Sequence, residues 1–109
     1  MTRYGSVIGL NDEKKARYVA LHAAVWPQVL QTISDCHIRN FSIFLKEPEN
    51  LMFSYFEYHG TDYAADMARM AADPVTQEWW AECMPCQRPL DTRAPGEWWA
   101  EMREIFHHD

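Results

Sequence analysis

The sequence predicts an α+β fold in which a four-stranded antiparallel sheet carries its helices on one face. Three runs rich in β-branched and aromatic residues predict strands, at 3–10, 38–45 and 51–58. Apolar residues at helical spacing follow the first and third of these runs. The turn segment Lys46–Asn50 joins the second and third strands into a hairpin. With a last strand near the C-terminus, the order β-α-β-β-α-β is that of the ferredoxin-like split β-α-β arrangement.

Capping residues and prolines set the predicted helix boundaries. Asn11 or Asp12 predicts the start of the first helix, and Pro27 either interrupts that helix or begins a second one. Thr61 or Asp62 predicts the start of the helix that follows the hairpin.

The C-terminal third of the chain is less regular. Asp73-Pro74 predicts the end of that helix, and another helical segment is predicted over about 75–83. Three prolines and a glycine predict a long loop over 84–96, and residues 102–107 predict the last strand.

Composition narrows the class of protein. The 109 residues predict a single domain, 1–109. Ten Lys and Arg against sixteen Asp and Glu give a net charge of −6, which argues against nucleic acid and an anionic membrane surface as partners. No apolar run approaches the roughly 20 residues of a membrane helix, and the N-terminus lacks a signal-peptide core. With three cysteines in no disulfide pattern, these features predict a cytoplasmic protein.

The face of the predicted sheet that the helices leave open carries alternate aromatic and aliphatic residues. Five Trp, five Tyr and five Phe are also more rings than one small core can hold. A second copy of the chain is the simplest cover for such a face, so we expect a homodimer.

Tyr18 and His22 are the first candidate functional pair. Their spacing of four places both side chains on one helix face. A histidine can give or take a proton near neutral pH, and a nearby phenol can orient it or bind a substrate hydroxyl. A surface histidine packed on a tyrosine is the alternative interpretation.

Trp79, Trp80 and Glu57 are further candidates. Adjacent helix residues point about 100° apart, so one of the two indoles can pack inward while the other faces a cleft or a partner. Indole rings also stack on the apolar faces of sugars, although the residues alone slightly favour interface packing for this pair. Glu57 shares a strand face with Phe53 and Tyr55, and lies either in a polar pocket or at a solvent-exposed strand end.

Cys83 and Cys86 form a single C-x-x-C motif. Such a motif supplies two zinc ligands where a structural site needs four, so reduced, unreactive thiols are the preferred interpretation and no metal is predicted. His37 and His59 stand alone near strand ends and receive no role. The chain lacks the G-x-G-x-x-G, P-loop, G-x-S-x-G and H-E-x-x-H motifs, which leaves a cofactor-free reaction or simple binding.

Several short motifs together resemble the L-rhamnose mutarotase family, including related L-fucose mutarotases. The resemblance runs from about residue 3 to 84, with a weaker echo at Glu104-Ile105-Phe106. In chain order the motifs are Tyr18-x-x-x-His22, Val25-Trp26-Pro27, Asn40-Phe41-Ser42-Ile43-Phe44-Leu45, Glu49-Asn50-Leu51-Met52-Phe53, Glu57 and Trp79-Trp80.

This resemblance implies a dimeric ferredoxin-like α/β barrel and a cofactor-free epimerase that acts at the anomeric carbon of a sugar. His22 falls on the family's proton-donor position, and Tyr18, Trp79 and Trp80 fall on its sugar-binding positions. We expect Glu57 to be a second acid/base or to orient His22.

Two departures from the family bear on the sugar. Phe41 stands where the family has a sugar-binding tyrosine, so one hydrogen bond to the sugar must be lost or replaced. The segment 84–101 also differs from the rhamnose enzymes. We therefore expect a 6-deoxy-L-hexose substrate, either L-fucose or L-rhamnose, with L-fucose slightly favoured.

Three other functions compete with this expectation. Dimeric ferredoxin-like barrels also include cofactor-free monooxygenases, because a fold does not fix a function. The aromatic cleft could instead bind a small ligand without reaction. A zinc-binding interaction domain built on the C-x-x-C motif is the third.

Overall fold

The computed structural model describes residues 1–109. Five strands and four α-helices follow one another along the chain. They are β1 Thr2–Leu10, α1 Lys15–Ala23, α2 Pro27–Asp35, β2 Ile38–Lys46, β3 Leu51–Tyr58, α3 Tyr63–Ala72, α4 Pro74–Cys83, β4 Gln87–Arg88 and β5 Ala100–Met102. Single-turn 3-10 helices precede α1, at Asp12–Lys14, and follow α4, at Met84–Cys86.

The sheet is antiparallel throughout, with the order β2-β3-β1-β4. β5 also pairs with β1, further along the same edge. The ferredoxin-like order predicted from the sequence is thereby confirmed, with β1 and β3 at the centre.

The predicted last strand over 102–107 is wrong in position. The edge of β1 is covered instead by two short strands, and Met102 opposite Gly5 is the last pair. Beyond it, Glu104 reaches Arg3 through its side chain, at 2.8 Å, rather than through the backbone. The predicted loop 84–96 likewise contains a 3-10 turn and β4, because the chain returns to β1 at once.

The two faces of the sheet differ in what covers them. Ile8 and Leu10 of β1 and Met52 of β3 are fully buried beneath the helices, where they pack in one cluster with Tyr18 and Trp79. All four helices lie against this face. The opposite face carries the alternate residues of each strand, and no helix covers it.

A β-bulge in β2 sets the orientation of Phe41. Arg39 pairs with Glu57 and Ser42 pairs with Tyr55, so two residues of β2 oppose one residue of β3. Asn40 supplies the left-handed backbone that the bulge requires, with φ of 52°.

The hairpin between β2 and β3 is tied to the start of α1. Lys15 binds Glu47 at 2.7 Å and the side-chain oxygen of Asn50 at 3.2 Å. The Asn50 amide in turn donates to Asp12 at 3.0 Å. These bonds hold the N-terminal end of α1 over the sheet, and so they position the side chains further along that helix.

The uncovered face of the sheet leaves large apolar side chains exposed. Phe44 is 65% exposed on β2, and Ile105 and Phe106 are 85% and 80% exposed in the C-terminal segment.

No helix of this chain has both the length and the apolar character to cross a membrane.

Candidate active site

A cavity of about 350 Å³ lies between α1 and the helix-covered face of the sheet. The sheet contributes Leu10, Ile43, Leu45 and Met52 to its walls, and α1 contributes Tyr18 and His22. The walls are almost wholly apolar. His22 is therefore the one imidazole that lines an otherwise apolar cavity.

His22 has its ring nitrogens assigned by a backbone contact. Its Nδ1 lies 2.9 Å from the backbone carbonyl oxygen of Tyr18, one helical turn earlier. A carbonyl oxygen only accepts, so Nδ1 must carry the hydrogen and donate it. In the neutral imidazole Nε2 then holds the lone pair, and no protein group occupies it. His22 can accept a proton at Nε2 and give it back from there.

Two aromatic rings hold the imidazole in place. Tyr18 stacks on it with ring centroids 4.2 Å apart and an interplanar angle of 27°. Trp79 meets it edge to face at 5.2 Å, and Trp26 meets Trp79 at the same separation. The rotamer of His22 is therefore fixed by packing on both sides.

The structure separates the two members of the tryptophan pair, as the 100° offset predicts. Trp79 is only 6% exposed and belongs to the core, so it has little free surface for a sugar and contacts His22 instead. Trp80 is half-buried and packs against the outside of that core.

Phe41 lies on the same face of β2 as Ile43 and Leu45, which line the cavity. Its ring packs on Phe56 at 5.5 Å and remains 45% exposed. Phe41 thus lies on the strand face that forms the cavity wall, next to the lining residues rather than among them.

Glu57 is not brought to His22. By alternation in β3 it lies on the uncovered face of the sheet, opposite the helices. Its partners there are the hydroxyl of Tyr55 at 2.8 Å, the amide of Asn40 at 2.9 Å and His59 at 3.1 Å. Hydrogen bonds from His59, Asn40 and Tyr55 lower the pKa of Glu57 to about 2. This geometry does not support the expectation that Glu57 is a second acid/base or orients His22, because the sheet lies between the two residues.

The three cysteines lie apart from any cluster of potential metal ligands. Cys36, Cys83 and Cys86 are free and buried. The chain places no three His, Cys, Asp or Glu side chains where they could share a metal ion. Burial raises the pKa of the Cys83 thiol to about 12, so it stays protonated and poorly nucleophilic.

Sequence reasoning missed two residues beside the site, Gln87 and Trp98. The Tyr18 hydroxyl accepts a hydrogen bond from the Gln87 amide at 3.2 Å, and Gln87 accepts one from the Trp98 indole at 2.7 Å. Burial raises the pKa of Tyr18 to about 12. A buried phenol requires a polar partner, which signals that one exists, but the sequence spacing of 69 residues does not say which.

An antiparallel sheet in the ferredoxin-like strand order, with its helices on one face, places this chain among the small α+β proteins. Two solved structures share this architecture. An L-rhamnose mutarotase from Formosa agariphila matches with a TM-score of 0.78 and 21% identity, over 100% of both chains. The tetracenomycin F2 cyclase of Streptomyces glaucescens, a type-II polyketide cyclase, matches with a TM-score of 0.73 and 12% identity, over 100% of this chain and 98% of its own.

Sequence comparison distinguishes between these two activities. The family model described as L-rhamnose mutarotase matches residues 3–108. The L-rhamnose mutarotase of Sinorhizobium fredii is 31% identical over 111 residues, covering 98% of each chain. That of Oceanobacillus iheyensis is 26% identical over 109 residues, covering 100% of each. The chain belongs to the L-rhamnose mutarotase family, and it is an isomerase that acts as a carbohydrate epimerase.

Proposed function

We propose that this protein interconverts the α and β anomers of L-rhamnose in the cavity beside His22. The observation that carries the proposal is the fixed tautomer of His22. With Nδ1 committed to the Tyr18 carbonyl, Nε2 is the one ring nitrogen left to exchange a proton with a bound sugar.

Mutarotation opens the sugar ring at the C1–O5 bond and closes it again, and proton transfers drive both steps. The protonated imidazole gives its Nε2 proton to the ring oxygen as the C1–O5 bond breaks, while the anomeric hydroxyl loses its proton to water and becomes the aldehyde oxygen. Rotation about the C1–C2 bond presents the other face of the aldehyde. On closure His22 takes the proton back from the C5 hydroxyl as the C1–O5 bond reforms, and the new anomeric oxygen regains a proton from water. General acid–base catalysis of this kind contributes about 10²–10⁴-fold.

The apolar walls support a 6-deoxy sugar. Leu10, Leu45 and Met52 offer no hydrogen bonds, so they suit a methyl group better than a hydroxymethyl group. The relatives described above are named L-rhamnose mutarotases. Their names support L-rhamnose as the substrate, rather than the L-fucose that the replacement at Phe41 suggested.

A second copy of the chain is the occupant that we propose for the uncovered sheet face. Phe44 and the C-terminal Ile105 and Phe106 would be buried there, and residues 1–109 would form one mutarotase domain per subunit. A mass in solution of twice the 12.8 kDa chain supports this assembly, and the mass of a single chain contradicts it.

Exchange NMR on the purified protein tests the sugar assignment. We expect L-rhamnose to show the fastest protein-dependent exchange between anomers. L-mannose is the matched control, because it differs from L-rhamnose only by the C6 hydroxyl, and we expect slower exchange for it. L-fucose shares the methyl group but differs at C2 and C4. Faster exchange of L-fucose would contradict L-rhamnose, and binding without any exchange would contradict catalysis.

A further inference from the structure

Three side chains form a hydrogen-bonded chain that ends at the cavity. Trp98 precedes β5, Gln87 lies in β4 and Tyr18 lies in α1. The Trp98 indole Nε1 is 2.7 Å from Gln87 Oε1, and Gln87 Nε2 is 3.2 Å from the Tyr18 hydroxyl oxygen. Gln87 and Tyr18 are 8% and 4% exposed, so water does not compete for these bonds.

The direction of each hydrogen bond follows from the chemistry of the groups. An indole N–H only donates, so the Gln87 atom that faces Trp98 must be the amide oxygen. The amide nitrogen is then turned towards Tyr18, and an amide nitrogen only donates. The Tyr18 oxygen is therefore an acceptor in this bond, and its own hydrogen must point elsewhere.

No protein group accepts that hydrogen. The bond from Gln87 is the one hydrogen bond of the Tyr18 hydroxyl, and Tyr18 lines the cavity. Gln87 is itself held at the cavity, because its backbone pairs with Leu10 of β1, another lining residue.

We propose that Gln87, fixed by Trp98, is a positioning residue for mutarotation that compels the Tyr18 hydroxyl to donate its hydrogen to the bound sugar. This inference rests on the proposed function of the cavity. A donor of fixed direction suits the pyranose ring oxygen, which has no hydrogen and only accepts. Electron density moves onto that oxygen as the C1–O5 bond breaks and His22 protonates one of its lone pairs, so a prearranged donor to the other lone pair stabilises the transition state.

Two substitutions of similar size at Gln87 distinguish the direction of its hydrogen bond to Tyr18 from the packing of its side chain. Gln87→Glu places a carboxylate beside Tyr18, and a carboxylate only accepts hydrogen bonds. The Tyr18 hydroxyl therefore turns away from the sugar and donates its hydrogen to that carboxylate. Gln87→Met removes the bond and leaves the hydroxyl free to rotate. We expect kcat for L-rhamnose at pH 8 to fall about tenfold in Gln87→Met and about 10²-fold in Gln87→Glu. Gln28→Glu, on the exposed surface of α2, is the control for the added charge and keeps the wild-type rate.

The pH dependence of the Gln87→Glu rate provides a second test, because a purely structural role of Gln87 would not change it. On acidification the new carboxyl takes up a proton and can donate it to the Tyr18 oxygen, which restores the original direction. The ratio of Gln87→Glu to wild-type rates therefore rises between pH 8 and pH 5. His22, Cys83 and Cys86 also lie around Tyr18 and are present in both proteins, so the variant is compared with the wild type at each pH.

A double-mutant cycle tests the role of Trp98 and serves if Gln87→Glu does not fold. Trp98→Phe should lower kcat severalfold in the wild-type background and have no further effect in Gln87→Met, because Trp98 acts through Gln87. Equal losses in Gln87→Met and Gln87→Glu, a ratio independent of pH, or additive effects in the cycle would overturn the inference. If the wild type exchanges no anomers, the proposed function fails, and the same series is then measured by L-rhamnose binding in NMR titrations, with the same order expected.

Discussion

The imidazole of His22 stacks on the phenol of Tyr18, with ring centroids 4.2 Å apart, and its Nδ1 lies 2.9 Å from the backbone oxygen of the same residue. One residue thus fixes both the plane of the imidazole and its tautomer. This arrangement requires only the spacing of four residues within α1, since that spacing places one side chain above the other and a carbonyl within reach.

His22→Ala should remove most of the anomer exchange. The loss of the Nε2 proton carrier should lower kcat for L-rhamnose by about 10²–10⁴-fold, as measured by exchange NMR. His108→Ala is the matched control, because His108 is exposed and makes no hydrogen bond, and it should retain the wild-type rate. An unchanged rate in His22→Ala, with the circular dichroism spectrum preserved, would show that another group carries the proton.

Phe41→Tyr should change the ratio of activities on L-rhamnose and L-fucose. Phe41 lies next to the cavity wall with a ring that is already 45% exposed, so we expect the added hydroxyl to approach sugar oxygens without repacking the core. We expect the ratio of kcat/KM values to change about tenfold in favour of L-rhamnose. Phe44→Tyr is the control on the opposite face of the same strand. A ratio that stays constant in Phe41→Tyr would remove this position from sugar discrimination.

Glu57→Gln should leave anomer exchange intact and change the acid stability. The pKa of Glu57 is about 2 in the folded protein, below the value of about 4.3 in an unfolded chain. The unfolded state therefore binds the proton first as the pH falls, and the stability that Glu57 contributes is complete above about pH 5 and lost by about pH 2. Urea unfolding at several pH values should show a shallower dependence in Glu57→Gln over this range. A large loss of exchange at pH 7 would contradict its placement away from the cavity.

Asp73→Ala should destabilise the helix that carries Trp79. The Asp73 carboxylate accepts hydrogen bonds from the backbone N–H and the hydroxyl of Thr76, both at 2.8 Å, and so caps the start of α4. Loss of the cap should lower the midpoint of thermal unfolding by roughly 4 °C, as followed by circular dichroism. Asp91→Ala, in the exposed loop before β5, is the control. If both variants melt together with the wild type, the cap contributes nothing measurable.

Much of the fold could be predicted because it depends on local pattern. The alternation in 51–58 matches β3, and Asp73-Pro74 marks the junction of α3 and α4. Tyr18 and His22 could be paired for the same reason, since they are neighbours within one helix.

Long-range relations could not be predicted in this way. Two short strands pair with the edge of β1, although the sequence predicted a single strand at 102–107. Glu57 belongs to a promising motif, but strand alternation alone does not say which face the helices will cover. The residue pattern of β2 also does not predict the bulge at Asn40, which turns Phe41 towards Phe56.

The sequence by itself determined the three long strands, the helices and the internal geometry of the His22 and Tyr18 pair, because neighbours along a helix or strand are fixed by its repeat. Only the tertiary structure decided that Gln87, 69 residues from Tyr18, would orient its hydroxyl, and that Glu57 would lie on the far side of the sheet. Such contacts depend on which surfaces bury the most apolar area together, and this is a property of the whole chain rather than of any segment.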